Sequence, residues 1–261
     1  MAKSGSNSEE QKGFIIGPHG VVIPIPPDAA DYEWVDSSFG IKVPKTRIYC
    51  SAQKPLKIGI MGGTFDPVHY GHLVTAEAAA DLFSLSTVIF VPSGRPPHKR
   101  AFSVTDPSER YGMTELATCS NLRFRMSDIE ICRPGYSYTI DTVRAFRSAY
   151  GGEAELYFIT GADAILEIMT WHRIDELMKE CHFIAAYRPG YDREHLRDAV
   201  EQMSRDFSQR IHLIEVPALA ISSTDIRRRL QEGRTIKYLL PEPVIHRIAE
   251  RGLYVDSGTH E

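Results

Sequence analysis

Two histidines three residues apart, His69 and His72, follow a glycine pair and an Asp-Pro step in Gly62-Gly63-Thr64-Phe65-Asp66-Pro67-Val68-His69-Tyr70-Gly71-His72. Imidazoles at that spacing share one face of a helix's first turn, where main-chain N–H groups lack intrahelical partners. Such a place suits phosphate. Far downstream, Ile221-Ser222-Ser223-Thr224-Asp225-Ile226-Arg227 puts three hydroxyl residues at a helix start and a guanidinium three positions after Thr224. Hydroxyls, bare N–H groups and a forked cation again make a phosphate site. A third cluster, Pro92-Ser93-Gly94-Arg95-Pro96-Pro97-His98-Lys99-Arg100, sets four potential cations in a Pro/Gly-rich loop, a natural lip for an anionic pocket. Taken singly, each has a plain alternative: a turn with two neighbouring histidines, a capped helix with a solvated basic face, a solvated basic loop.

Positioning these residues requires alternating strands and helices. Leu56 to Met61 reads as a buried strand, with Gly62 and Gly63 letting the backbone turn sharply and approach a ligand. The Ala-rich segment Leu73 to Phe83 reads as a helix that begins near Tyr70. Thr87–Val91 is a second strand and Phe124–Ile129 a third; the run Leu156–Thr160 leads to Gly161 and a short helical segment reaching Met169. His182–Tyr187 and Ile211–Val216 complete the strand candidates. Helices are expected at Ser108–Cys119 after Asp106-Pro107, at Tyr138–Tyr150 before Gly151-Gly152, and at Thr224–Gln231 and Pro243–Glu250. This order predicts an α/β fold with a doubly wound, Rossmann-like parallel sheet, which binds ligands at the carboxyl ends of its strands near a switch point.

The chain has 261 residues, enough for one large domain, here placed at 55–261. Residues 1–54 read as an extension: a polar tail to Gly13, then a hairpin from Phe14 to Ile25 around Gly17-Pro18-His19-Gly20, then Pro-rich chain. A net charge of −4 gives no global electrostatic case for nucleic acid or an anionic membrane. Cys50, Cys119, Cys132 and Cys181 lack C-x-x-C spacing, which argues for reduced thiols over a disulfide framework or zinc site. With no run of eighteen apolar residues and no signal-like N-terminus, a cytoplasmic location is expected by default. No carboxylate cluster marks a dedicated metal site.

The run Gly-Gly-Thr-Phe-Asp-Pro-Val-His-Tyr-Gly-His-Leu resembles the signature of the H-x-G-H nucleotidyltransferase superfamily, and within it the nicotinate-nucleotide adenylyltransferases. Ile221–Arg227 is similar to the superfamily's I-S-S-T-x-I-R motif, which grips the ATP triphosphate. His98 and Lys99 match a P-P-H-K loop that helps hold the mononucleotide. Tyr138-Thr139, Gly161-Ala162-Asp163 and Thr170-Trp171-His172 resemble the S-Y-T, G-x-D and T-W stretches. The resemblance implies that Thr139, Trp171 and His172 line a pyridine pocket and that Asp163 contacts the nucleotide. Arg188, in Tyr187-Arg188-Pro189-Gly190-Tyr191, matches an arginine near the nucleotide, with a plain turn residue as the alternative. The likeness spans about Lys57 to Leu253; the long N-terminal extension departs from it.

The implied reaction joins ATP and nicotinate mononucleotide to give deamido-NAD and pyrophosphate. His69, His72 and Arg227 are assigned to catalysis. Gly63, Ser223 and Thr224, with the main-chain amides of Thr64 and Phe65, are assigned to the ATP phosphates, and Mg²⁺ is expected to be held mainly by those phosphates and water. Nicotinamide mononucleotide or phosphopantetheine are rival acceptors. A class I aminoacyl-tRNA synthetase is disfavoured by the missing K-M-S-K-S-like segment. A non-catalytic nucleotide sensor, with the extension as its output, is the rival from another class. A homo-oligomer is compatible with the chain, which gives no subunit number.

Overall fold

The computed structural model describes residues 55–96, 104–190, 192–203, 205–217 and 220–255, together with four short upstream strands. The chain divides into two units, Met1–Ile48 with Ser120–Leu122, and Tyr49–Cys119 with Arg123–Glu261. In the first, β1 (Phe14–Ile16) pairs antiparallel with β2 (Val22–Pro24), in the stretch where a hairpin was expected; the expected turn residues lie outside the described ones. A second antiparallel pair, β3 (Glu33–Asp36) and β4 (Lys42–Lys45), had no clear strand signal in its Pro-punctuated sequence.

The second unit is built on six parallel strands: β5 (Lys57–Gly63), β6 (Thr87–Pro92), β7 (Phe124–Met126), β8 (Glu155–Gly161), β9 (His182–Tyr187) and β10 (Ile211–Glu215), in the order β10-β9-β8-β5-β6-β7. The chain starts in the middle, runs outward through β6 and β7, then crosses to β8 on the other side of β5. That reversal is the switch point. Side chains alternate between two apolar layers, as period-two strands covered on both faces must. Met61, Val88, Phe90, Tyr157 and Ile159 face α1 (Tyr70–Leu82), α2 (Pro107–Thr118), α9 (Ser223–Gln231) and α10 (Glu242–Arg251). Ile58, Ile60, Ile89, Leu156 and Phe158 face α4 (Thr139–Tyr150), α5 (Ala162–Leu166), α6 (Ile174–Glu180) and α7 (Arg193–Glu201).

Three expectations need correction. The third strand stops at Met126, and α3 (Ile129–Cys132) follows it at once, because Asp128 heads a short turn whose carbonyl accepts from Ile131 and Cys132 N–H. The segment read as one short helix to Met169 is α5 followed by a 3₁₀ turn, Ile168–Thr170. Helices α6 and α7 were not anticipated; each buries only a few apolar side chains, such as Ile174, Leu177 and Met178, or Leu196 and Val200. A short α8 (Arg205–Ser208) precedes β10. Among the described residues, no helix is long and apolar enough to cross a membrane.

Candidate active site

A cavity of about 270 Å³ opens at the carboxyl ends of β5, β8 and β9, across the switch point. Its walls include Met61 from β5, His69 to His72 at the start of α1, Thr160 to Asp163 at the end of β8, and Tyr187 and Arg188 at the end of β9. Gly62 and Gly63 do not make the turn expected of them; both lie within β5, paired with Val91 and Pro92. Their need for glycine is space. A Cβ on Gly62 would stand 2.7 Å from the Phe158 ring, and one on Gly63 2.9 Å from the Phe65 ring. The backbone turns instead at Phe65, which has a φ of 49° while its side chain is buried in the core. The next peptide, Asp66–Pro67, is cis.

His69 is the N-cap of α1 and His72 its third residue, so the two rings stack at 3.8 Å and 25° as their spacing implied. His69 N–H donates to His72 Nδ1 at 3.2 Å, which leaves His72 Nε2 to carry the proton. The His69 ring is buried, and among the described residues no group hydrogen-bonds its Nδ1 in good geometry. Burial, and then the Arg188 charge, lower its pKa to about 4, so at neutral pH it is an uncharged imidazole. Gly71 makes this packing possible: a Cβ there would already be 3.0 Å from the His69 ring.

The hydroxyl-rich segment caps α9, with Ser222 as N-cap accepting from Asp225 N–H at 3.1 Å. Its side chains are not part of the cavity wall, to which the segment contributes Ile221. Ser223 Oγ donates to Pro67 O at 2.8 Å, and Arg227 Nη1 donates to Asp66 O at 2.6 Å. Arg227 Nη2 lies 3.5 Å from the exposed Thr224 hydroxyl. The two phosphate motifs are thus stitched together main chain to side chain.

The residues assigned to a pyridine pocket form a separate group. Thr139 begins α4; the ring of its neighbour Tyr138 packs on the exposed His172 ring at 4.3 Å. Trp171 is half-buried, edge-on to Phe158 at 5.8 Å and to Phe183 at 6.1 Å. None of Thr139, Trp171 and His172 lines the cavity. Asp163 and Arg188 do, both as exposed side chains. His98 and Lys99 lie outside the described residues.

Four supporting residues escaped the sequence reading. Arg110 on α2 is completely buried, and its guanidinium donates to the carbonyls of Thr64 (2.7 Å), Thr105 (2.8 Å), Ser93 (2.6 Å) and Gly94 (3.4 Å). It therefore ties the loop after β5 to the loop after β6. Desolvation lowers its pKa, with Asp66 the main opposing charge. Asp66, read only as half of a turn, is buried and accepts from Tyr254 Oη at 2.7 Å. Ser137 Oγ accepts from the Gly94 and Arg95 N–H groups at 3.0 and 3.2 Å, fixing the start of the basic loop to the segment before α4. Buried Glu130 accepts from Thr142 Oγ1 at 2.6 Å, and burial raises its pKa. The Asp-Pro step was the one available signal for this group.

A parallel sheet with two stacked histidines at its switch point and a hydroxyl-capped helix bound to the same loop defines a nucleotidyltransferase. In agreement, a family model described as cytidylyltransferase-like matches residues 60–229. A probable nicotinate-nucleotide adenylyltransferase of Moorella thermoacetica is 62% identical over 201 residues, 77% of this chain and 93% of that one. Another, from Mycolicibacterium vanbaalenii, is 48% identical and covers 77% and 94%. The chain belongs to the nicotinate-nucleotide adenylyltransferase family. The fold is also that of Plasmodium falciparum nicotinic acid mononucleotide adenylyltransferase complexed with NaAD, with a TM-score of 0.64, 22% identity and coverage of 76% and 97%.

Proposed function

We propose that this chain transfers the adenylyl group of ATP to nicotinate mononucleotide, giving deamido-NAD and pyrophosphate in NAD biosynthesis. The observation that carries the reading is the stacked His69–His72 pair in the switch-point cavity, with the buried His69 Nδ1 lacking a hydrogen-bond partner among the described residues. A buried polar atom without a partner is costly unless a ligand supplies one.

The acceptor phosphate is ionised at neutral pH, so attack on the α-phosphate needs no general base. Catalysis rests on in-line placement and on stabilising the charge that develops on the phosphates. His72 is assigned nearest that charge, donating through Nε2. His69 contributes as a neutral imidazole, a hydrogen-bonding partner rather than a cation. Arg227, Ser223, Thr224, Gly63 and the amides of Thr64 and Phe65 are assigned to the β- and γ-phosphates. Ser223 Oγ donates its one proton to Pro67 O, so the hydroxyl must switch partner to donate to a phosphate when ATP binds. Asp163 and Arg188 flank the nucleotide, whereas Thr139, Trp171, His172, His98 and Lys99 are assigned to the mononucleotide.

Mg²⁺ bound to ATP would offset charge on the departing pyrophosphate. Among the described residues, no three His, Cys, Asp or Glu side chains cluster to cage an ion, and Asp163 is the carboxylate on the cavity wall, which fits an ion held mainly by phosphate and water. A cytoplasmic location, and a role for residues 1–54 as an appended extension to a 55–261 domain, complete the reading.

Steady-state pyrophosphate release with ATP and Mg²⁺ tests the acceptor. The kcat/KM for nicotinate mononucleotide is expected to exceed those for nicotinamide mononucleotide and phosphopantetheine. Equal or greater efficiency with the nicotinamide form overturns the assignment.

A further inference from the structure

In the loop that leads to His69, one buried carboxylate lies near two guanidinium groups. Asp66 is buried with 3% of its surface exposed. Arg110 lies close enough for Asp66 to be its leading favourable charge, and Arg227 Nη1 stands 3.9 Å from Asp66 Oδ2. A carboxylate so placed is poised to take Arg227 in a bidentate fork, the strongest geometry open to that pair. The structure shows something else. Arg227 binds the main-chain carbonyl of Asp66 at 2.6 Å and turns its other nitrogen toward Thr224.

The carboxylate's orientation is set by its own partners. Tyr254 Oη donates to Oδ1 at 2.7 Å, and Thr105 N–H points at Oδ2 from 3.4 Å. Tyr254 reaches this place by an unusual path. Gly252 ends α10 with a φ of 58°, and Tyr254 itself takes a φ of 65°, a conformation that a bulky residue adopts only when its surroundings impose it. Helix α10 is fixed to α2 by Arg247 and Arg251, both paired with Glu109, so the phenol is delivered by a braced element. Burial and the neighbouring Asp66 charge hold the phenol protonated far above its ordinary range, which makes it a permanent donor.

We propose that Tyr254 is a positioning residue: by occupying Asp66 Oδ1, its hydroxyl prevents the carboxylate from capturing Arg227 and keeps that guanidinium directed at the ATP phosphates. The inference rests on the reading of Arg227 as a phosphate ligand. Without the phenol, Asp66 rotates onto Arg227 and ATP loses a partner, while the mononucleotide side is untouched.

The test compares the full chain with its Tyr254→Phe, Arg227→Lys and doubly substituted variants. Losing one hydrogen bond to a charged group should reduce kcat/KM for ATP by about 5- to 30-fold in Tyr254→Phe, leaving KM for nicotinate mononucleotide within about twofold. In the Arg227→Lys background, which cannot make the fork, the same substitution should change kcat/KM for ATP by less than about twofold. Unchanged efficiency in Tyr254→Phe, equal losses for both substrates, or the same fold-loss in both backgrounds overturns the proposal. Should the wild-type chain bind ATP yet release no pyrophosphate, the proposed activity fails and calorimetric ATP affinity reads the same coupling in the same four proteins. Should Tyr254→Phe fail to fold, Asp66→Asn, which keeps an oxygen for the phenol but cannot fork with Arg227, should retain ATP affinity within about threefold; a larger selective loss of ATP affinity than Arg227→Lys causes overturns the idea.

Discussion

The segment from Thr64 to His72 has two sides built on opposite rules. On the cavity side, His69 is buried with a bare Nδ1, its pKa pushed down to about 4, and its ring stacked on a second imidazole. On the far side the Asp66 carboxylate and the Arg110 guanidinium are buried with several partners each, supplied by Thr64, Ser93, Thr105 and Tyr254. The contrast separates polar groups that wait for a ligand from polar groups that shape the place where it waits. An unsatisfied buried group persists only where its surroundings fix it, so the cost borne at His69 implies the rigidity supplied at Arg110.

That contrast can be broken from the supporting side first. Arg110→Met removes the cation and strands the carbonyls of Thr64, Thr105 and Ser93, along with the Asp66 charge. A loss of about 3–5 kcal/mol is expected, the range for breaking a buried ionic cluster by removing one partner. Denaturant unfolding would measure it, and a change below about 1 kcal/mol would show that the cluster is not the brace described here. From the ligand side the effect moves from stability to rate. His72→Ala should lower kcat by about 10²- to 10³-fold, the scale for one preorganised donor in a transition state. Its melting temperature should fall by only a few degrees, because the partly buried ring contributes one capping bond, from His69 N–H. Near-normal pyrophosphate release would remove His72 from the chemistry.

The same division explains what could be read from the residues alone. The strand-then-helix order from Leu56 to Phe83 was legible because a buried run and an Ala-rich segment each follow a local rule, and the three-residue histidine spacing put both rings on one face. The capped helix after Ile221 was legible for the same reason. Arg110 was not: within Pro107–Thr118 it reads as one more polar residue on a surface helix, and only the tertiary arrangement surrounds it with carbonyls. Tyr254 carries no local signal either, since its partner is 188 positions away. The glycine pair was read as a turn when its role is to clear space for the Phe158 and Phe65 rings, a demand that comes from other strands and from the loop. Likewise, Phe124–Ile129 has the composition of a longer strand, but Asp128 diverts the chain after Met126.

The smallest effect is also the one that reads the waiting group directly. An imidazole whose pKa falls from 6.5 unfolded to about 4 folded binds its proton more readily in the unfolded chain. Stability linked to His69 is therefore fully present above pH 6.5, declines as the pH falls below that value, and is lost through about pH 4. Between pH 7 and pH 5 the expected loss is about 2 kcal/mol from this residue. His182 and His212 have pKa values lowered by their own burial and add losses of the same sign, so the whole-protein slope does not isolate His69. Replacement by asparagine does. His69→Asn keeps a residue type favoured at a helix N-cap and removes the titration, so the helix start is preserved while the pH dependence is not. Urea unfolding of both proteins at pH 7 and pH 5 should show the wild type losing about 2 kcal/mol more than the variant. Equal losses would mean that His69 is not held neutral by its burial, and that the cavity side of the loop is as well satisfied as the side that braces it.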